Sequence, residues 1–332
     1  MDIFIQQLIN GLTTGSVYAI VALGYTMVYG VIQLINFAHG EVVMIGAMTA
    51  FTVIVAIVGA GAPLPPIMIV LVGVLAAIPV CMGVGFLLER LAYRPLRHAP
   101  RLAPLITAIG MSIILQQLAL LIWGRDPRAF PQIMENTSFS IGGAAISSVQ
   151  IAIILMSVVL MAVLTWFVYR TKFGIAMRAT AENVSVAGLM GIDANRVIAG
   201  TFIIAAGLGA VAGVMYGTYY GIAHYTMGFI LGLKAFSAAV LGGIGNLAGA
   251  MLGGILLGLV EALGAGYIGE FTDLCKWPVV GANGMLAERC AADGHVVLFG
   301  SNYQDVFAFL VLILVLVFRP SGLLGERVSE RA

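Results

Sequence analysis

Stretches of about twenty apolar residues with hardly a charge among them recur from one end of this chain to the other, and they set the first limit on how it folds. A helix needs roughly 20 such residues to cross a hydrocarbon layer of ~30 Å. A transmembrane barrel would show stretches of about ten residues with alternating polarity instead. The runs lie at 8–31, 42–58, 67–88, 105–123, 149–169, 197–220, 229–247, 248–268 and 303–318. Of the 332 residues, 61% are hydrophobic and 9% charged. Soluble domains carry roughly 25% charged residues, so this chain has too few to coat a water-facing surface. The expected fold class is an all-α polytopic membrane protein of about eight to ten transmembrane helices. A single transmembrane domain is expected over residues 1–332, in contact with membrane lipid. Glycine-rich stretches are expected to break some helices or make them re-entrant. The pair 229–247 and 248–268 reads either as two spans or as one broken element.

Orientation follows from the basic residues, which favour the cytoplasmic side. Arg90, Arg94, Arg97 and Arg101 share one loop, and Arg170, Lys172, Arg178 and Arg196 share a second. Arg319, Arg327 and Arg331 lie in the tail. These regions fall on one side if the Gly-rich pair crosses twice, and Arg125, Arg128, Lys276 and Arg289 fall on the other. The first side is expected to be cytoplasmic, with the C-terminus there and the N-terminus outside. The N-terminal placement depends on whether the first segment is broken at Gly11-Leu12-Thr13-Thr14-Gly15-Ser16. The start lacks a basic stretch before its first apolar run, so no cleaved signal peptide is expected.

Some functions are disfavoured at this level. A net charge of +1 with no basic stripe gives no reason to expect a nucleic-acid partner. No GxxxxGK[ST] phosphate loop occurs, so ATP is not bound by that route. No HExxH or CxxC occurs, nor a GxSxG with plausible partners. No catalytic residue, cofactor or metal site is expected.

Three regions carry polar detail. In the loop 170–196, Thr180 is a plausible helix cap with Asn183 three residues on. Val184, Ala187 and Gly188 share one face of a short helix, read either as a docking element for a cytoplasmic partner or as a connector lying on the membrane. In the second region, Gly245, Gly249 and Gly253 repeat at i+4, a face for close helix packing, while the break at 242–246 also suits a polar path. Third, His39, Glu41, His224, Lys234 and Glu261 lie in or near spans, where charges are costly and face protein or water. Glu41 and Lys234 are the candidates for lining a path or pairing, and Glu41 also reads as a carboxylate at a helix N-terminus. His224 and Glu261 are expected near the outer interface.

These residues sit within stretches that resemble the H-type permease subunit of bacterial branched-chain amino acid ABC importers. The resemblance runs through Ser16-Val17-Tyr18-Ala19, Ala22-Leu23-Gly24-Tyr25-Thr26-Met27-Val28-Tyr29-Gly30 and Ile35-Asn36-Phe37-Ala38-His39-Gly40-Glu41. It continues in Tyr93-Arg94-Pro95-Leu96-Arg97, Ala176-Met177-Arg178-Ala179-Thr180-Ala181, Gly232-Leu233-Lys234-Ala235-Phe236 and Arg319-Pro320-Ser321-Gly322-Leu323-Leu324. It implies a permease of the bacterial inner membrane that pairs with a second, homologous permease. Two cytoplasmic ATPase subunits would drive the pair and a periplasmic substrate-binding protein would supply it. It also implies that the loop 170–196 is the ATPase-coupling loop, with Arg178, Ala181, Glu182, Gly188 and Ile192 at the contact. The expected function is ATP-driven uptake of leucine, isoleucine and valine. Alternatives are a related importer for urea, amides or other amino acids, an ion-coupled secondary transporter, or a scaffold subunit.

For the substrate path the candidates are Thr13, Thr14, Ser16, Asn36, His39, Glu41 and Lys234. Small hydroxyls and free backbone amides suit a zwitterion whose carboxylate favours a helix N-terminus. Hydrogen bonding between helices is the alternative role for the hydroxyls. The outer loop 269–302 is longer than the family pattern and carries Cys275 and Cys290. In an oxidising compartment these two are candidates for a disulfide closing about 15 residues, worth roughly 3 kcal/mol in the chain-entropy model. Peptide mass mapping without reductant is expected to recover Cys275 and Cys290 as one cross-linked species. Free thiols at both positions in membranes from oxidising cells would rule the bridge out.

Overall fold

A computed structural model describes residues 2–97, 99–100, 102–133, 137–141, 143–276, 297–300 and 303–325. Among the described residues, seven helices are long and apolar enough to cross a membrane, and two shorter apolar helices accompany them. In chain order the helices are α1 (Asp2–Ile32), α2 (His39–Gly59), α3 (Pro66–Leu88), α4 (Leu102–Trp123), α5 (Ser148–Arg170), α6 (Lys172–Glu182), α7 (Val184–Leu189), α8 (Ala194–Tyr220), α9 (Met227–Gly242), α10 (Leu247–Phe271) and α11 (Gln304–Phe318). A π-helical turn, Glu89–Tyr93, follows α3 directly.

The helices start and stop for local reasons. Pro65 and Pro66 open α3, because the missing N–H of Pro66 falls where the helix has no partner for it. Ser147 and Gln150 form a reciprocal capping box on α5. Asp193 caps α8 and Asn246 caps α10. Gly221, at φ +69, ends α8 in the left-handed region.

Helices α1 and α8 lie mostly buried at the centre, whereas α3, α4 and α5 leave most of their surface exposed, as lipid-facing helices do. Among the described helices the most extensive pairing is α1 against α10. A Cβ on Gly11 or Gly15 would run into the backbone of α10 at Leu259 or Ile255, and one on Gly254 or Gly258 would run into α1 at Ala19 or Gly15. Glycines from both helices thus let the two backbones touch, the small-residue packing that drives association where lipid offers no hydrophobic contrast.

The glycines at 11 and 15 are therefore contact points, and the expected break in the first segment is not there: α1 runs unbroken through 11–16. The break falls instead at 33–38, opened by Gln33 at φ 52. The Gly-rich stretch 229–268 resolves into two helices, α9 and α10, separated by a turn with Gly243 at φ 107 and Gly245 at φ 98.

Contacts divide the polar segments between two ends of the bundle. At one end Arg97 meets Asn195 and the 243–246 turn meets the segment after α11. At the other end Gln6 meets Ala145, the short strands β1 (Arg128–Ala129) and β4 (Ile222–Ala223) pair antiparallel, and β2 (Ser138–Ile141) pairs with β3 (Ala144–Ser147). The first end carries the Arg-rich segments and is termed the basic end.

Gly15→Leu is expected to lower stability by about 1–3 kcal/mol, because added side-chain volume in a tight contact forces backbone shifts. Gly83→Leu has open space around it and is expected to be close to neutral. Thermal unfolding of the purified protein in detergent separates the two variants.

Candidate translocation and docking sites

At the basic end α6 and α7 form a compact hairpin between α5 and α8. The Thr171 hydroxyl caps α6 by accepting from Gly174 N at 3.1 Å. Asn183, extended at φ −158, ends α6 and caps α7, its Oδ1 accepting from Ser185 N at 3.0 Å and Val186 N at 3.1 Å. Thr180 is therefore not the cap: it is buried inside α6 and donates to the Ala176 carbonyl at 2.8 Å.

Ala187 packs inward, and Ile192 is half-buried against the core. Arg178 is exposed, with its guanidinium 5.1 Å from the Tyr169 ring. Ala181 is half-buried, Glu182 and Gly188 are exposed, and open space surrounds Gly188. The outward surface is apolar: Val184 and Val186 stand out, and Leu189 and Met190 are 86% and 79% exposed. Nearby, Glu89 is buried and ion-paired with Arg97, with Arg94 at 3.8 Å. Burial draws the Arg97 guanidinium below its ordinary pKa, and the Glu89 charge opposes that shift.

A second site lies in the middle of the bundle. The Nε2 and Cε1 atoms of His39, the first residue of α2, occupy the space where a Cβ on Gly24 of α1 would fall. Gly24 is eight residues before the end of α1, so the His39 ring at the start of α2 reaches about 12 Å inside that end at 1.5 Å per residue. His39 also touches Gly209 of α8, eleven residues and therefore about 16 Å from the end of α8. The start of α9 meets the start of α2 here, since a Cβ on Gly40 would strike Gly228 and one on Gly228 would strike Gly40 and the Glu41 carboxylate. Two helix N-termini, neither with a side-chain cap, thus converge on one carboxylate, which their positive dipole ends favour.

Glu41 is 0% exposed. Its Oε1 accepts from Ser112 Oγ at 3.0 Å and Gln116 Nε2 at 2.7 Å, both on α4. Its Oε2 has no hydrogen-bond partner among the described residues. Asn36, in the turn before α2, accepts from the Tyr93 hydroxyl at 3.0 Å.

A third cluster gathers charge from three helices and a hydroxyl from a fourth. Lys234 Nζ on α9 lies 2.7 Å from Glu261 on α10 and 2.6 Å from Asp305 on α11. It donates to the Tyr18 hydroxyl of α1 at 3.4 Å. Glu261 is buried in this cluster. An ammonium among hydrocarbon spans needs such partners, because leaving it unpaired is costly.

A sequence profile described as the permease component of branched-chain amino acid transport systems matches residues 7–316. The chain belongs to this family. It is 45% identical over 332 residues to the high-affinity branched-chain amino acid transport system permease protein BraD of Pseudomonas aeruginosa, covering 99% of this chain and 98% of that one. It is 41% identical over 333 residues to the corresponding LivH proteins of Salmonella typhimurium and Escherichia coli K12, covering 99% and 97%. No solved structure matches.

In this permease the candidate residues of the sequence separate into distinct places. Asn36, His39 and Glu41 gather at the meeting helix starts. Thr13 and Thr14 donate to their own helix at Ile9 and Asn10, 2.8 and 3.1 Å, and Ser16 is buried in the α1 core. Lys234 belongs to the ion cluster. Cys275 is disulfide-bonded, and Cys290 lies outside the described residues. Cys81 is buried and free. Sequence reasoning missed Asp305, whose place in the first turn of α11 looks like an ordinary helix-start acid. It also missed Leu189 and Met190, for which the signal was an apolar pair in a loop too short to span.

Lys234→Met is expected to destabilise the permease by about 3–5 kcal/mol, since it leaves the buried Glu261 carboxylate without its cation. Adding Glu261→Gln should recover part of that loss. A double-mutant cycle on thermal unfolding checks it, and independent, additive effects would show that the pair is not coupled.

Proposed function

We propose that this chain is the translocating permease subunit of an ATP-driven importer that carries leucine, isoleucine and valine across a bacterial inner membrane. It would work beside a second homologous permease, with two ATPase subunits on the basic end and a periplasmic binding protein on the opposite end. The basic end and the C-terminus would then be cytoplasmic, in line with the excess of Arg and Lys there. The chain has no phosphate loop of its own, so ATP hydrolysis belongs to the ATPases.

The observation that carries this reading is the α6–α7 hairpin. It is too short to span, is tied down by two side-chain caps, and turns Val186, Leu189 and Met190 outward at the end richest in Arg and Lys. An apolar tip built this rigidly suits a cleft on a protein partner that pushes against it. The same family relationship, over nearly the whole chain, supports the substrate class.

The path would run beside the meeting starts of α2 and α9, with Asn36, His39 and Glu41 next to it and Lys234 toward the opposite end. Thr13, Thr14 and Ser16 would flank it from α1. In the single chain these side chains are largely buried. Alternating access would therefore come from the broken elements 33–38 and 221–226 moving against the α1–α8 centre, as broken helices do in other transporters.

Reconstituted with its partners in liposomes, the permease is expected to take up labelled leucine only with ATP and binding protein present. Uptake driven by an ion gradient without ATP would overturn the reading. Gly188→Trp, placed in open space, should leave the fold intact and weaken ATPase co-purification or disconnect hydrolysis from uptake. Ser185→Trp is expected to be milder. Normal uptake together with normal ATPase association in Gly188→Trp would remove the hairpin from the coupling role.

A further inference from the structure

From Asn195, just past the docking hairpin, polar contacts joined by the π-helical turn lead to the re-entrant turn at 33–38. Just past the hairpin, Asn195 lies in the first turn of α8 and accepts from Arg97 Nη1 at 2.7 Å. The other arm of the same guanidinium donates to Glu89, which is 1% exposed. Glu89 opens the π-helical turn that ends α3, and Tyr93 closes it. The Tyr93 hydroxyl donates to Asn36 Oδ1 at 3.0 Å, and its ring lies 5.1 Å from Phe202 of α8. The Asn36 carbonyl in turn accepts from His39 N at 3.0 Å, at the first residue of α2. Gly40, the next residue, sits against Gly228 and Gly232 of α9.

We propose that Glu89, Tyr93 and Arg97 are positioning residues that carry displacement of the hairpin to the re-entrant turn and so to the start of α2. This rests on the hairpin being the ATPase-docking element. Three features distinguish the series from ordinary bracing. Its helical member is a π turn, a wide conformation that is rare and concentrates at functional sites. The turn that it grips begins at Gln33, a non-glycine residue held at φ 52, and such residues persist only where the surroundings hold them. The buried ion pair keeps spare capacity, because Glu89 Oε2 and Arg97 Nε have no hydrogen-bond partner among the described residues. The pair therefore has a second bonding arrangement within reach, which an element that shifts between two packed positions needs. The Asn195 contact, by contrast, is exposed and adds little to stability.

The test uses the whole importer in liposomes, with binding-protein-stimulated ATP hydrolysis and labelled leucine uptake measured on one preparation. Asn195→Ala cuts the series at its exposed end. Tyr93→Phe removes one hydroxyl and keeps the ring on Phe202. Each variant is expected to keep stimulated hydrolysis within about twofold of the parent while uptake per ATP falls about threefold to thirtyfold. The double variant should lose no more than the larger single effect, because both cut one series. An unchanged ratio of uptake to hydrolysis in both variants overturns the proposal. So does a parallel loss of both activities that tracks a lowered unfolding temperature, which is what bracing alone predicts. If Tyr93→Phe does not fold, Asn195→Ala decides the matter by the same ratio. Failure of the functional reading itself is seen separately, as a parent complex without ATP-dependent leucine uptake.

Discussion

A backbone N–H or carbonyl that leaves a helix inside hydrocarbon finds no water, so each interruption has to be enclosed by protein. The architecture is arranged around that requirement. After the turn at 33–38, the first residue of α2 sends its His39 ring about 12 Å inside the end of α1, while Tyr93 holds the turn with its hydroxyl and packs its ring on Phe202 of α8. The start of α9 is enclosed in the same way by α2, with Gly40, Gly228 and Gly232 bringing the backbones into contact. Only glycine fits there, because a single Cβ would occupy the space of the opposite chain. The peripheral helices α3, α4 and α5 can afford ordinary lipid-facing surfaces because the irregular backbone has been gathered inside.

Enclosure of two helix starts produces an electrostatic field as well as a packing solution. Both α2 and α9 direct the positive ends of their dipoles at Glu41, which has no ion-pair partner among the described residues and accepts hydrogen bonds from Ser112 and Gln116. The Lys234 cluster solves the converse problem with full charges, two carboxylates around one ammonium. These arrangements hold short or interrupted helices in place without the length of apolar surface that fixes α1 or α8.

The spans were legible in the sequence because hydropathy over twenty residues is a property of the sequence alone. All nine runs correspond to helices, and their ends agree within about three residues except at the start of α1, which begins six residues earlier, and the end of α9, which stops five residues sooner. The breaks were less legible. Glycine serves close packing and chain reversal alike, and Gly11 and Gly15 proved to be packing glycines while the actual break, at 33–38, contains no glycine at all. The cap at Asn183 was overlooked in favour of Thr180 for a similar reason, since either side chain can cap and only the phase of α6 decides between them. Lys234 could be named from its place in a span, but its second carboxylate could not, because Asp305 comes from a helix distant in sequence. Contacts of that kind are set by tertiary packing and leave no local pattern.

The Lys234 cluster has a consequence for how such a chain is made. Synthesis places the lysine in α9 before either carboxylate exists; Glu261 follows 27 residues later, and Asp305 belongs to the last helix described. The nascent α9 is short and carries an uncompensated cation, so it has weak grounds for leaving the translocon sideways into lipid on its own. It becomes a stable membrane segment only as α10 and then α11 arrive to neutralise it. Among the described helices α11 thus supplies the last counter-charge, so a chain that stopped before it would hold its lysine against one carboxylate in place of two.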